Sequence, residues 1–382
     1  MMRRTFLKTG SLGMAGGIIA AKDFSKNENK DENKIAIRPN FTSDGLGLSP
    51  KDYISLLSQL VDSQEVVADV YCLGAVMEAF EKKMAKALGK EKAIYMPTGT
   101  LANHIALRVH SPRRKKILVQ QQSHIYRDCG DAIPQLSGIQ LLPLAADGIT
   151  FSLADVKKSL QDTAVEKVHT GIDAIAIETP VRRQHLRRFD FGEMKKISQL
   201  ARQKGIGLHL DGARIFGEAA ISGISVKKYS ELFDTVYVSL YKYFNSIAGA
   251  ILAGPASMID GLHNERRMFG GGLRSAWENV VVADYFFEGF EKRFQEGQRV
   301  GKVFLEKLAA SGLFRFKAFE DGTNVYQLFL EKGAPAIFRK KILAKGIGFP
   351  KFNKNENCFV IKLNESLVGV DVEEMVKVFT VF

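Results

Sequence analysis

From Ile35 to about Ala253, short apolar runs alternate with amphipathic, charge-bearing stretches. The apolar runs predict strands at Ala93–Met96, Lys116–Val119, Gly138–Pro143, Ala174–Glu178, Gly207–Leu210, Thr235–Leu240 and Ala248–Ala253. The amphipathic stretches predict helices at Ala75–Leu88, Leu101–Val109, Ser152–Leu160, Phe191–Lys204 and Val226–Leu232. In the first helix Val76, Phe80, Met84 and Leu88 recur at a spacing of four and line one apolar face, and Gly89 follows as a stop. Strands that alternate with helices imply βαβ units, hence an α/β fold with a mostly parallel seven-stranded sheet and helices on both faces. From about Met268 to Gly312 the period becomes that of long helices. Strand candidates Tyr326–Leu330 and Cys358–Lys362 and a terminal helix at Val372–Val378 come next. We therefore expect a large domain over residues 35–275 and a small C-terminal α+β domain over 276–382.

The first residues follow another pattern. MMRRTFLKTGSLGMAGGIIAA places Arg3-Arg4 before Phe6-Leu7-Lys8 and a weakly apolar, glycine-rich run. That run is far short of the roughly 20 residues that span a bilayer. Residues 1–21 thus read as a cleavable signal peptide, with Ala20-Ala21 as the candidate cleavage site. The arginine pair resembles the twin-arginine signal, which exports folded proteins, so we expect a periplasmic or exported protein with no membrane segment after processing. Residues 22–34 hold one aromatic among charges and amides and are expected to be a disordered spacer.

Composition narrows the function classes. Hydrophobic residues are 46% and charged residues 25% of the 382, ordinary values for a globular protein with a large core. The 54 Lys and Arg against 42 Asp and Glu give a net charge of +12. The basic residues concentrate only at Arg113–Lys116 and form no stripe interleaved with aromatics, so no nucleic-acid partner is expected. Cys72, Cys129 and Cys358 are too few and too scattered for a disulfide framework or a CxxC metal site, and no metal is expected.

In open α/β sheets ligands gather at the carboxyl ends of the strands. After Ala93–Met96 comes Pro97-Thr98-Gly99-Thr100, where a glycine lets an anion approach the free N–H groups of a helix start, or where the chain merely turns. After Lys116–Val119 comes Ser123-His124. Asp211 emerges beyond Gly207–Leu210, to pair with Arg214, to cap the next helix, or to face a cationic ligand nitrogen. Beyond Thr235–Leu240 stands Tyr241-Lys242-Tyr243, and a lysine desolvated there is a nucleophile able to form a Schiff base. Taken together, a phosphate turn, a flat side chain, a carboxylate and a lysine are what pyridoxal phosphate requires: imine formation, phosphate binding, a partner for the ring nitrogen, and stacking.

These residues resemble the low-specificity threonine aldolases of the β-eliminating lyase group, pyridoxal-phosphate enzymes of fold type I. The resemblance rests on DVYCLGAVMEAFEKKMAKALGKEKAIYMPTGTLANHIAL, SHIY, HLDGARIF, SLYK and RMFGGGLR, and runs from about residue 36 to the C-terminus. It implies a fold type I architecture and pyridoxal 5'-phosphate bound as a Schiff base to Lys242. Gly99 and Thr100 would bind the phosphate, and His124 would stack on the ring and act as an acid–base group. Asp211 would pair with the ring nitrogen, and Arg214 and Ser43 would lie at the substrate carboxylate. Arg274 would reach a neighbouring subunit's site in a homodimer or homotetramer. The implied reaction is cleavage of threonine, allo-threonine or a related amino acid to glycine and an aldehyde. The same scaffold could instead carry out β-elimination on another amino acid, or serve only to bind one.

The chain departs from that family at three places around the substrate. An Asn-Thr-His motif and paired glycines give way to TPVRRQHLRRF after Glu178. Tyr243-Phe244-Asn245-Ser246 replaces a glycine-rich stretch after the lysine. A C-terminal arginine is missing: Val360 stands in its place, with Lys362 two residues on and on the same strand face. Arg182, Arg183, Arg187 and Arg188 either compensate for it or form a solvated loop.

Overall fold

A computed structural model of the protein describes residues 37–113, 115–146, 148–168 and 170–381. The expected signal peptide and spacer lie outside the described residues. Among those described, β1 (Lys92–Met96), β2 (Lys116–Gln120), β3 (Gln140–Leu144), β4 (Ile172–Glu178), β5 (Gly207–Asp211), β6 (Thr235–Ser239) and β7 (Ala250–Gly254) form one sheet. Their spatial order is β1-β7-β6-β5-β4-β2-β3. All seven strand expectations have a counterpart within two residues at each end. The sheet is mostly parallel, as the alternation of elements required. However, β7 runs antiparallel to both β1 and β6. The short chain from Ser239 to Ala250 explains this, because a parallel return needs a crossover of a dozen or more residues.

The local rules that place these elements are ordinary ones. In the helix Ala75–Leu88 the left-handed Gly89 donates its N–H to the Ala85 and Lys86 carbonyls and stops the helix. In the helix Phe191–Lys204 the Asp190 carboxylate accepts from the Glu193 N–H at the start and Gly205 closes the end. Strands β2, β6 and β7 are buried along their whole length, so their side chains read as continuous apolar runs. Edge strand β3 is partly exposed.

A second sheet joins β8 (Phe314–Ala318), β9 (Val325–Leu330), β10 (Phe352–Asn353) and β11 (Cys358–Lys362), all antiparallel, in the order β10-β11-β9-β8. The expectation named only two of these strands. Half-exposed β8 and two-residue β10 lack a clear alternation of burial. The capped helix Pro50–Ser63 and the helix Pro335–Ala344 were also not foreseen. The long helical region resolves into Trp277–Phe287 and Phe290–Ala310, separated at Gly289.

The helix Phe290–Ala310 serves two apolar cores. Its Phe290 and Phe294 pack with the residues around the large sheet, and Val300, Phe304, Leu305 and Leu308 pack with those of the second. Phe304 is fully buried against Phe41 and Phe379, so truncating it to Ala should cost about 3–5 kcal/mol. The aromatic stretch that replaces glycines after Lys242 belongs to the same packing. Tyr243 meets Phe290 and Phe294, and Phe244 meets Phe216, Phe287 and Phe290.

Candidate active site

The strand ends converge on a cleft of about 300 Å³ lined by His124, Asp128, Glu178, Arg182, Asp211, Ala213, Arg214, Tyr237, Tyr241 and Lys242. Lys242 follows β6 and is 9% exposed. Its Nζ donates to Tyr241 Oη at 3.1 Å and lies 4.3 Å from the Tyr241 ring centre. Burial and, next, the Arg214 guanidinium push its pKa down to about 7. This amine is therefore available as a nucleophile near neutrality.

Asp211, at the end of β5, does not pair with Arg214 and does not begin a helix. One carboxylate oxygen accepts from Asn103 Nδ2 at 2.8 Å and the other from the Ala213 N–H at 3.2 Å. Behind it runs a buried chain of polar groups that sequence reading passed over. Asn103 Oδ1 meets His209 Nε2 at 2.9 Å, His209 Nδ1 meets Thr235 Oγ1 at 2.9 Å, and Thr235 Oγ1 meets His110 Nε2 at 2.8 Å. A carboxylate only accepts, so Asn103 must donate to it and accept from His209 Nε2–H. Burial holds His209 neutral, with its pKa down to about 3, so its Nδ1 accepts from the threonine hydroxyl. Thr235 in turn accepts from His110 Nε2–H. Every donor along this chain points toward Asp211.

Glu178 joins the two walls of the cleft. Its carboxylate accepts the His124 N–H at 2.5 Å and the Arg182 N–H at 2.8 Å, and burial with Asp211 nearby raises its pKa to about 7. His124 starts a short helix capped by Ser123, and its Nδ1 lies 3.3 Å from Cys129 Sγ. Burial lifts the Cys129 thiol to about 12 and lowers His124, so this contact pairs a thiol with a neutral imidazole. Gly99 and Thr100 open the helix Gly99–His110, and Thr98 caps it by accepting the Leu101 N–H. A side chain at Gly99 would place its Cβ 2.0 Å from Tyr237 Oη, so only glycine leaves this helix start open.

Arg214, itself buried, donates from Nε and Nη2 to Asp44 Oδ2 at 3.0 and 2.7 Å. Lys362 Nζ donates to the other Asp44 oxygen at 2.7 Å. Ser43 lies in the same turn, and its buried Oγ has no partner among the described residues. Arg274 lies apart from the cleft: its carbonyl accepts the Tyr71 N–H, and its guanidinium sits 5.8 Å from the Tyr71 ring centre. The arginine loop divides in two. Arg182 and Arg183 bind the two oxygens of Asp128 at the cleft mouth, whereas Arg187 and Arg188 clamp the Glu320 and Asp321 carbonyls between β8 and β9.

The structure thus brings Lys242, His124, Asp211 and Arg214 into one cleft, with Gly99 against Tyr237 of its lining. Sequence reading missed Asn103, His209, Thr235, Asp44 and Tyr237. Asn103 and His209 stand inside the quoted PTGTLANHIAL and HLDGARIF stretches, and Asp44 directly follows Ser43.

Comparison with known proteins follows the same lines. The family described as beta-eliminating lyase matches residues 63–326. Low-specificity L-threonine aldolase 1 of Arabidopsis thaliana is 25% identical over 78% of this chain and 84% of its own length. The low specificity L-threonine aldolase of Escherichia coli K12 is 29% identical over 64% of this chain and 72% of its own. A solved structure of a candidate L-allo-threonine aldolase from Listeria monocytogenes EGD-E superposes with a TM-score of 0.73 and 28% identity. It covers 90% of this chain and 96% of that one.

Proposed function

The chain belongs to the beta-eliminating lyase family and is a pyridoxal-phosphate-dependent lyase, and from that premise we propose that it cleaves a β-hydroxy-α-amino acid, threonine or allo-threonine, to glycine and an aldehyde. The observation that carries this reading is Lys242 Nζ, buried and with its pKa near 7, in one cleft with Asp211, His124 and Arg214. When bound, the cofactor supplies a ring that accepts the electron pair of the bond broken at Cα. The residues present fit it: an amine, a helix start kept open by Gly99, and a carboxylate whose donors are already arrayed behind it.

Lys242 Nζ would hold the cofactor through its aldehyde. The Gly99 and Thr100 N–H groups and the Thr100 hydroxyl would hold its phosphate. Asp211, held in place by the Asn103–His209–Thr235–His110 chain, would pair with the ring nitrogen. His124 would stack on the ring face. With its Nδ1–H given to Cys129 Sγ, whose thiol donates to Thr100 Oγ1, the neutral imidazole leaves Nε2 free to take the β-hydroxyl proton as Cα–Cβ breaks. Arg214, with Ser43, holds the α-carboxylate. Arg274 serves the site of a neighbouring subunit in a homodimer or homotetramer, in keeping with its place outside its own cleft. Export through residues 1–21 would deliver the protein folded, and the pair Arg3→Lys, Arg4→Lys should retain it in the cytoplasm.

The test is product analysis with L-threonine and L-allo-threonine on the cofactor-loaded protein. Glycine and acetaldehyde in equal amounts support aldol cleavage. Ammonia and a keto acid without glycine would overturn it in favour of β-elimination, the reading that the Arg182–Asp128–Arg183 mouth leaves open.

A further inference from the structure

We propose that Tyr241 is a positioning residue for Lys242: its hydroxyl and its ring hold the free amine in the cleft and favour its protonated form there, a role that rests on the reading of Lys242 as the cofactor lysine. Lys242 is free twice, before the cofactor is captured and whenever the amino group of a substrate displaces it. A lysine stem has many rotamers, and an amine that must meet a carbonyl carbon has to be held against that entropy.

The geometry singles out one residue. Lys242 Nζ lies 3.1 Å from Tyr241 Oη and 4.3 Å from the Tyr241 ring centre, so hydroxyl and ring reach it together. The Tyr237 ring is farther, at 6.0 Å. Charged and titratable groups surround the amine: Glu178 and Asp211 end β4 and β5, His124 follows β2, Arg214 follows β5, and Asp44 rides on the N-terminal segment. The three acids are engaged elsewhere. Asp211 accepts from Asn103 and Ala213, Glu178 from the His124 and Arg182 N–H groups, and Asp44 from Arg214 and Lys362. None of them pairs with Nζ among the described residues, which leaves Tyr241 Oη as its hydrogen-bond partner.

Two tyrosines flank Lys242 and are used differently. Tyr243 is buried against Phe290 and Phe294, whereas Tyr241 is half-exposed on the cleft wall and meets no other ring among the described residues. Core packing therefore does not account for where Tyr241 lies. Burial holds its phenol above the ordinary value, so it stays uncharged near neutrality and its oxygen can accept the Lys242 N–H. A neutral acceptor and an aromatic face both favour an ammonium over an amine. Burial and Arg214 act in the other direction and prevail, which brings Lys242 to about 7. Tyr241 opposes them, and without it the amine should lose its proton at a lower pH still.

The experiment follows Lys242 in the apoprotein by two readouts. One is its reactivity with acetic anhydride against pH, by peptide mass spectrometry; the other is the rate of pyridoxal phosphate capture, by stopped-flow absorbance. Wild type is compared with Tyr241→Phe, which keeps the ring, and with Tyr241→Leu, which removes both contacts. We expect the reactivity midpoint near 7 in wild type and about one pH unit lower in Tyr241→Phe, a roughly tenfold change in proton affinity, as loss of a hydrogen bond to a charged group gives. Tyr241→Leu should move it further, since the ring face is lost as well. On the alkaline side, capture should be about threefold to tenfold slower in Tyr241→Phe, because the amine is no longer held. A midpoint that stays or rises in Tyr241→Phe would overturn the proposal: a ring that merely covers the lysine admits water when disturbed, and water returns the amine toward its ordinary value. Capture by Tyr241→Phe at the wild-type rate on the alkaline side would overturn it too. A wild type that gains no visible band with the cofactor would instead overturn the reading of Lys242 on which the proposal rests.

Discussion

The floor of the cleft and its mouth use the same side-chain types, yet they are built on different terms. At the floor Asp211, Asn103, His209, Thr235 and His110 are all buried, and each bond in the chain dictates the direction of the next. At the mouth Arg182 and Arg183 share Asp128 with side chains 44% and 43% exposed. An exposed pair contributes about 0–1 kcal/mol, and its geometry is easily remade. Removing one member of the floor leaves another buried and unsatisfied, at about 1–3 kcal/mol each. Burial therefore fixes the floor of the cleft. The mouth is free to vary, and one of the three departures from the family, the arginine loop after Glu178, lies there.

The sharpest break of the floor is Lys242→Ala. It should abolish covalent cofactor attachment and lower turnover by more than about a thousandfold, measured by absorbance and glycine release. Asp211→Ala should retain attachment but lose about a hundredfold or more in turnover, because the ring nitrogen loses its charged partner. Turnover near wild type would show that the nitrogen lies elsewhere. Cofactor capture by the apoprotein should follow the neutral fraction of Lys242. It should rise through about pH 7 and fall by up to about tenfold per unit below that, in stopped-flow traces.

His209→Gln should leave attachment intact and cost about tenfold in turnover. It also carries a stability signature. His209 and His110 are held near 3 and 4 against an ordinary value near 6.5, so below pH 6.5 the unfolded chain binds protons that the folded one does not. Their contribution is present above pH 6.5 and is lost as pH falls toward 4, by up to about 1.4 kcal/mol per unit for each histidine. The His209→Gln variant should show a shallower loss of Tm over that window. At the mouth, Arg182→Ala should be the mildest change. It should leave the visible band unaltered and shift the preference between threonine and a bulkier substrate by less than about tenfold.

The contrast between floor and mouth also explains what could be read from sequence. Strands β2, β6 and β7 were legible because burial along their whole length makes their side chains mostly apolar. Asp211, which ends β5, and Lys242, three residues past β6, followed from the rule that ligands gather at strand ends. Asn103 and His209 escaped, since a polar residue inside a helix or strand shows its partner only when the strands are placed side by side. The antiparallel course of β7 left no mark in its composition, and the partnership of Asp44 with Lys362 spans 318 positions of sequence. Such pairings belong to the fold, and no local window contains them.

Lys242, where the strand ends converge, is the residue proposed to take the cofactor. Borohydride reduction of the loaded protein, followed by proteolysis and peptide mass spectrometry, tests it most directly. A phosphopyridoxyl group on Lys242 alone is the predicted result. A label on another lysine, or none while glycine is still produced, would contradict it.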